Sequence, residues 1–168
     1  MANSITVTSY NSRGLKQSKQ NYISQLLNSC DFLFLQEQWL SESQLESLGR
    51  IHSGVLYTSV SGFDNLDILK GRPYGGCAIL WHSNLMVSVY SVVSNSSRIY
   101  TACVVTDSWK LLLINVYMPY EDGDERSDEF VYVLSLIENI IGNNSDCHVI
   151  LGGDFNVDFN RQRNHTVF

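Results

Sequence analysis

Charge is scarce in this 168-residue chain: 17% of residues are Asp, Glu, Lys or Arg, against 44% hydrophobic, and the mean hydropathy is -0.07. That balance excludes a disordered polyelectrolyte and supplies apolar side chain for a core, and the length suits a single domain over residues 1–168. No apolar run reaches the roughly 18 residues a membrane helix needs, so no membrane partner is expected. The opening MANSITVTSY has neither a basic n-region nor an apolar h-region, and the expected location is intracellular, in nucleus or cytoplasm, without secretion. The four cysteines, Cys30, Cys77, Cys103 and Cys147, include no C-x-x-C pair. This excludes a zinc knuckle or a dense disulfide frame and predicts small buried thiols in a reducing compartment. Asn-x-Ser/Thr triplets at Asn95, Asn143 and Asn164 carry no weight without an export signal.

A basic surface is also missing. Net charge is -6 and the isoelectric point is near 5.0. Through residue 84 there are six basic and six acidic side chains, and from residue 85 onward five and eleven, so the excess lies in the second half. Six of those acids crowd into EDGDERSDE between Glu121 and Glu129, where a polyanion would be repelled. Contact with DNA can therefore only be local, through Arg13, Lys16 and Lys19 after the first strand and through Lys70 and Arg72.

What the chain does contain is an alternation of strand and helix patterns without repeats. Strands are predicted at Ser4–Tyr10, Asp31–Leu35, Gly54–Val60, Gly76–Trp81, Leu85–Val93, Arg98–Thr106, Lys110–Tyr117 and His148–Leu151. Helices are predicted at Lys19–Asn28, at Ser41–Leu48 with Ser41 as N-cap and Gly49 as stop, and at Ser127–Ile141. In the last of these, Phe130, Val133, Leu134, Ile137, Ile140 and Ile141 recur at helical spacing. This order gives an α/β fold with mixed sheets, in which the first, second and last strands have parallel neighbours because helices separate them.

Chemistry gathers where three strands stop. Asn11 follows VTSY, Glu37 follows FLFLQ, and Asp154 and Asn156 follow VILGG. Were these strands side by side, two carboxylates and two carboxamides would meet at one sheet edge, where α/β folds place ligands. Oxygen donors of this kind suit a hard cation such as Mg²⁺. Each residue also has a plainer reading: Glu37 as a solvated strand end, Asp154 and Asn156 as an Asx-type turn.

The segments SYNSRGL, DFLFLQEQWL, GGCAILW, LLINVYMPY and ILGGDFNVDF occur in this order over nearly the whole chain. Together they resemble the endonuclease/exonuclease/phosphatase superfamily, and they look most like the endonuclease domains of non-LTR retrotransposons. The resemblance implies the N-terminal two-thirds of a deoxyribonuclease I-like four-layer α/β sandwich with mixed sheets, incomplete at its C-terminus. It implies a Mg²⁺-dependent phosphodiesterase (Mn²⁺ serving as well) that cuts DNA. Glu37 would be the principal metal ligand, with Asn11 orienting the metal site. Asp154 would position or deprotonate the attacking water beside the metal. Asn156 would hydrogen-bond the scissile phosphate, and the Tyr117 hydroxyl would donate to a phosphate oxygen, unless Tyr117 is a buried aromatic at a strand end.

Two departures qualify that expectation. Tyr120 stands where relatives often carry Asn after the Tyr-x-Pro proline. The late Ser-Asp-His segment of the superfamily has no counterpart, for none of the four histidines, His52, His82, His148 and His165, follows an Asp. Core or surface roles are expected for them, and the chain by itself is expected to be inactive. The competing readings are a non-catalytic remnant or binding module of the same fold, and a phosphatase acting on small phosphoesters. Loss of C-terminal strands would also leave open strand edges, with Leu111–Tyr117 expected to become an association site.

Overall fold

The computed structural model describes residues 4–63, 75–119 and 124–157. Eight strands form two four-stranded sheets. The first has the order β1 (Val7–Asn11), β2 (Phe32–Gln36), β4 (Cys77–His82), β3 (Val55–Val60). The second runs β5 (Ser88–Val92), β6 (Ile99–Val105), β7 (Lys110–Tyr117), β8 (His148–Asp154). Pairing is parallel for β1 with β2 and for β7 with β8, and antiparallel elsewhere. Helix α1 (Gln17–Leu27) joins β1 to β2, and α2 (Asp124–Asn143) joins β7 to β8, the crossover that a parallel pair requires.

The side-chain period of two sorts each strand between two cores. In β2, Phe32 and Phe34 point between the sheets, onto Ile79, Ala102 and Leu113, while Leu33 and Leu35 point outward onto Ile23 and Leu27 of α1. In β7, Leu111 and Leu113 face the other sheet, and Leu112, Ile114 and Val116 face Val133, Ile137 and Ile140 of α2. The three apolar clusters are the three interfaces of a helix, sheet, sheet, helix stack, so the expected four-layer mixed sandwich is what forms. Strands apolar on both faces occur here because each sheet is covered on both sides.

Several expectations need correction. The segment after Ser41 is a 3₁₀ helix, Glu42–Arg50, with Gly49 inside it rather than at its end. Ser41 does cap it, with Gln44 closing a capping box. Leu134 is exposed, although its spacing put it on the buried face of α2. Cys77 alone among the cysteines is buried, since β4 is covered on both faces and the other three lie at element ends or an outer face. The strands bearing Asn11, Glu37 and Asp154 do not share a sheet, because β8 pairs with β7 in the second one.

The segment Leu111–Tyr117 is no association edge: it forms β7, flanked by β6 and β8 and packed on both faces. The outer edge of β8 has no strand partner among the described residues, and its Val149 and Leu151, on the sheet face opposite Ile150, are 38% and 39% exposed. An open edge with apolar side chains templates pairing with another chain. The wild-type chain should therefore self-associate as concentration rises, and Val149→Lys with Leu151→Lys should shift it toward monomer. Sedimentation velocity checks this; equal association of both proteins would place the sticky surface elsewhere.

Candidate functional site

The turns after β1 and β2 clasp one another. Ser12 and Gly14 donate their N–H groups to Gln36 O and Glu37 O at 2.9 and 2.7 Å, and Leu15 N–H reaches Gln38 O at 3.0 Å. The buried Ser12 hydroxyl contacts the carbonyls of Gln36 and Glu37 at 3.0 Å each. Lys19 reaches back from α1 to the carbonyls of Ser12 and Arg13. Gly14 has φ +91°, and a Cβ there would lie 2.4 Å from the Trp39 ring, so only glycine permits this approach. Seated in this way, Trp39 donates its indole N–H to Glu37 Oε2 at 3.1 Å. Glu37 itself is left-handed, φ +51°, a costly conformation for a non-glycine residue that clusters at functional sites.

Asp154 arrives from the other sheet. β1 and β8 are edge strands on the same side of the sandwich, and their ends meet across it. The Asn11 amide nitrogen donates to Glu37 Oε1 at 2.7 Å and to Asp154 Oδ2 at 2.6 Å, while its oxygen accepts from Arg13 N–H at 3.0 Å. One carboxamide therefore bridges two carboxylates. Asp154 Oδ1 accepts from Asn156 N–H at 3.1 Å, the Asx-type turn expected of Gly-Gly-Asp-Phe-Asn, and Asn156 donates its side-chain N–H to Met118 O at 2.7 Å. Asn156 is left-handed as well, φ +50°.

Tyr117 ends β7, level with Asp154 in the ladder. Burial first, then the Glu37 carboxylate, raises its phenol above the usual value, and the Arg98 guanidinium opposes them. That guanidinium lies 5.5 Å from the Tyr117 ring centroid and pairs with Glu129 of α2 at 2.7 Å. Sequence reasoning missed Arg98, which belongs to no quoted segment. It also gave no role to Trp39, although a Trp two residues beyond the Glu was in view in QEQW.

A third group missed by sequence reasoning lies beneath the site. Asn115 of β7 is fully buried and donates to Leu35 O and Ala78 O of the first sheet at 3.0 and 2.8 Å. Its oxygen accepts from Gln36 Nε2 at 2.6 Å, and Gln36 also contacts Ser9 Oγ. This network ties the two sheets one residue behind Glu37.

The histidines lie elsewhere. His52 and His82 stack edge to face, 4.6 Å between centroids, at the opposite end of the first sheet, and His148 is exposed at the start of β8, about 20 Å along the strand from Asp154. The exposure of His148 is the surface role expected of it. His165, Lys70, Arg72 and Tyr120 fall outside the described residues. Arg13 and Lys16 are exposed beside the site, whereas Lys19 is engaged with backbone carbonyls.

Oxygen donors alone meet here, and among the described residues no group of three or more His, Cys, Asp or Glu side chains could hold a metal. Two carboxylates and a carboxamide fit Mg²⁺ or Mn²⁺, hard ions that accept one or two carboxylates and fill their shell with water and substrate oxygens.

A family model described as the endonuclease/exonuclease/phosphatase family matches residues 8–166. The chain belongs to that family. No curated protein sequence matches it. Among solved structures it resembles the 3′ phosphatase NExo from Neisseria, bound to a product DNA hairpin, with 20% identity and a TM-score of 0.67 over 92% of this chain and 58% of that one. It is similar to the endonuclease domain of TRAS1, a telomere-specific non-LTR retrotransposon, with 16% identity and a TM-score of 0.65 over 92% and 62%. It is also similar to the AP endonuclease LMAP from Leishmania major, with 16% identity and a TM-score of 0.67 over 91% and 55%. At such identities the likeness shows the fold, and the chain spans less than two-thirds of these neighbours' length. Family membership accounts for the two-sheet sandwich and for the order of the five segments along it.

Proposed function

We propose that this chain carries the metal-binding side of a divalent-cation-dependent phosphodiesterase site that acts on DNA, as in a retrotransposon endonuclease domain. The observation that carries the reading is the convergence of Glu37 and Asp154, from different sheets, on the single amide of Asn11. Two like charges brought together at a strained turn call for a shared cation, and the amide N–H groups supply only part of that positive charge. Glu37 and Asp154 would hold the ion, and rotation of the Asn11 amide would add its oxygen. Once bound, the ion supplies Lewis-acid stabilisation of negative charge on phosphate oxygens.

The remaining work falls to side chains. Asp154 Oδ2 is placed to accept a proton from an attacking water, and the neutral Tyr117 hydroxyl, its phenol pKa raised, is a donor at neutral pH for a non-bridging phosphate oxygen. The second N–H of Asn156, its first spent on Met118 O, can donate to the same group. Arg13 and Lys16 flank the site on the exposed side, which fits local rather than groove-long contact with a phosphate backbone. Likeness to DNA-processing neighbours supports DNA as the polymer, and the Q-E-Q-W-L and G-G-D-F-N-V-D segments support the retrotransposon branch.

Calorimetric titration with Mn²⁺ tests the reading. One weak site is expected in the wild type, with at least a tenfold loss of affinity in Glu37→Gln, a change that keeps size and hydrogen bonding while removing the charge. Equal binding by the two proteins would remove Glu37 from the site and the reading with it.

A further inference from the structure

The four thiols of the chain are unequal: Cys77 is buried in β4, Cys30 donates to Leu26 O at 3.2 Å, and Cys103 and Cys147 face each other with their sulfurs 3.9 Å apart. None is in a disulfide. The last two are 44 residues apart in sequence, so the fold creates their contact.

Cys103 is fixed within β6, paired with Tyr90 on one side and Leu112 on the other. Cys147 stands in the turn between α2 and β8, where its N–H donates to Asn144 O at 3.0 Å. The preceding residue is anchored by the 2.6 Å pair between Asp146 Oδ2 and Lys110 Nζ of β7. One sulfur is thus held by a sheet and the other by a turn. A disulfide needs about 2.05 Å between sulfurs, so the turn has to carry Cys147 about 2 Å closer. Both residues are partly exposed, and a small reagent can reach them.

We propose that Cys103 and Cys147 form a dithiol site whose co-substrate is a low-molecular-weight disulfide, RSSR. The Cys147 thiolate attacks one sulfur of RSSR, giving Cys147–S–S–R and RS⁻, which takes up the proton Cys147 lost. The Cys103 thiolate then attacks the Cys147 sulfur, closing the Cys103–Cys147 bond and expelling a second RS⁻, protonated in turn. Two protein thiols are oxidised and one disulfide is reduced to two thiols.

Burial, then the hydrogen bond and proximity of Cys103, push the Cys147 thiol up from its usual value. Attack is therefore slow at neutral pH and quickens as pH rises, and Cys147 is a poor leaving group once the bond has closed. The bond would tie the α2–β8 turn to β6 across β7, at the end of β8 remote from Asp154. It stands apart from the proposed metal site and does not depend on it.

The test is to incubate the reduced full chain with oxidised glutathione at pH 7 and at pH 8.5, quench with acid, alkylate in denaturant, and measure intact mass and a peptide map. The expected product is a monomer lighter by about 2 Da before alkylation, with a Cys103–Cys147 peptide, Cys30 and Cys77 still alkylated, and faster formation at pH 8.5. In Cys103→Ser the reaction should stop at a glutathione adduct on Cys147. A wild-type protein that stops at that same adduct, that links between chains, or that pairs Cys30 or Cys77 as readily would overturn the proposal, as would one that does not react.

Discussion

Replacing Gly153 by alanine should destabilise the protein by about 4 kcal/mol or more, a large fraction of the stability of a domain this size. Gly153 has φ +139°, and a Cβ at this position would lie 2.0 Å from Val116 O and 2.7 Å from Val116 N, both backbone atoms of the neighbouring strand. A flexible side chain could yield, but a ladder cannot do so without opening. Gly153 pairs with Val116 directly before Asp154 pairs with Tyr117. Relief of the clash would lever β8 away at the point where it delivers the aspartate. Chemical denaturation followed by circular dichroism should show the loss, and Mn²⁺ binding should fall with it. Gly142, where a Cβ meets nothing within 4 Å, is the matched control: alanine there should be neutral or slightly stabilising, because it lies inside α2. A Gly153→Ala protein within 1 kcal/mol of wild type would show that the β7–β8 ladder is not packed as described.

Asn115→Leu should cost about 3–5 kcal/mol, although leucine is close in size and more hydrophobic. Asn115 satisfies Gln36 Nε2 and the carbonyls of Leu35 and Ala78 between the two sheets, and leucine leaves all of them without that partner in a region closed to water. Restoring only the polarity will not do, since Asn115→Asp turns carboxylate oxygens toward two carbonyl oxygens and should be at least as damaging. Urea midpoints of the three proteins give the comparison. Gln36 precedes Glu37, so loosening this network should also weaken metal binding in any Asn115 variant that remains folded. A penalty below 1 kcal/mol for leucine would mean that the network contributes geometry but little energy.

The local pieces of this protein were legible because each is written in neighbouring residues. FLFLQ reads as a strand covered on both faces, Ser41 as a helix start, and Val133, Ile137 and Ile140 as one face of a helix, since propensity and periodicity act over a few residues. The mixed-sheet α/β class followed from the order of these elements and the four-layer stacking from the family resemblance, and Asn11, Glu37 and Asp154 stood out as polar residues where apolar strands stop. Asp154 with Asn156 also carried its turn in its own sequence, Gly-Gly-Asp-Phe-Asn.

Tertiary structure alone decided how those residues meet. Whether β8 lies beside β1 in one sheet or across from it in another depends on pairing between segments more than a hundred residues apart, which no local pattern encodes. The same limit hid the open edge at β8, the Arg98 guanidinium over Tyr117, the cross-sheet role of Asn115 and the contact of Cys103 with Cys147. Each joins residues whose sequence neighbours look ordinary, and the physical cause is packing: two twisted sheets of fixed spacing bring together the ends and edges that no strand specifies by itself.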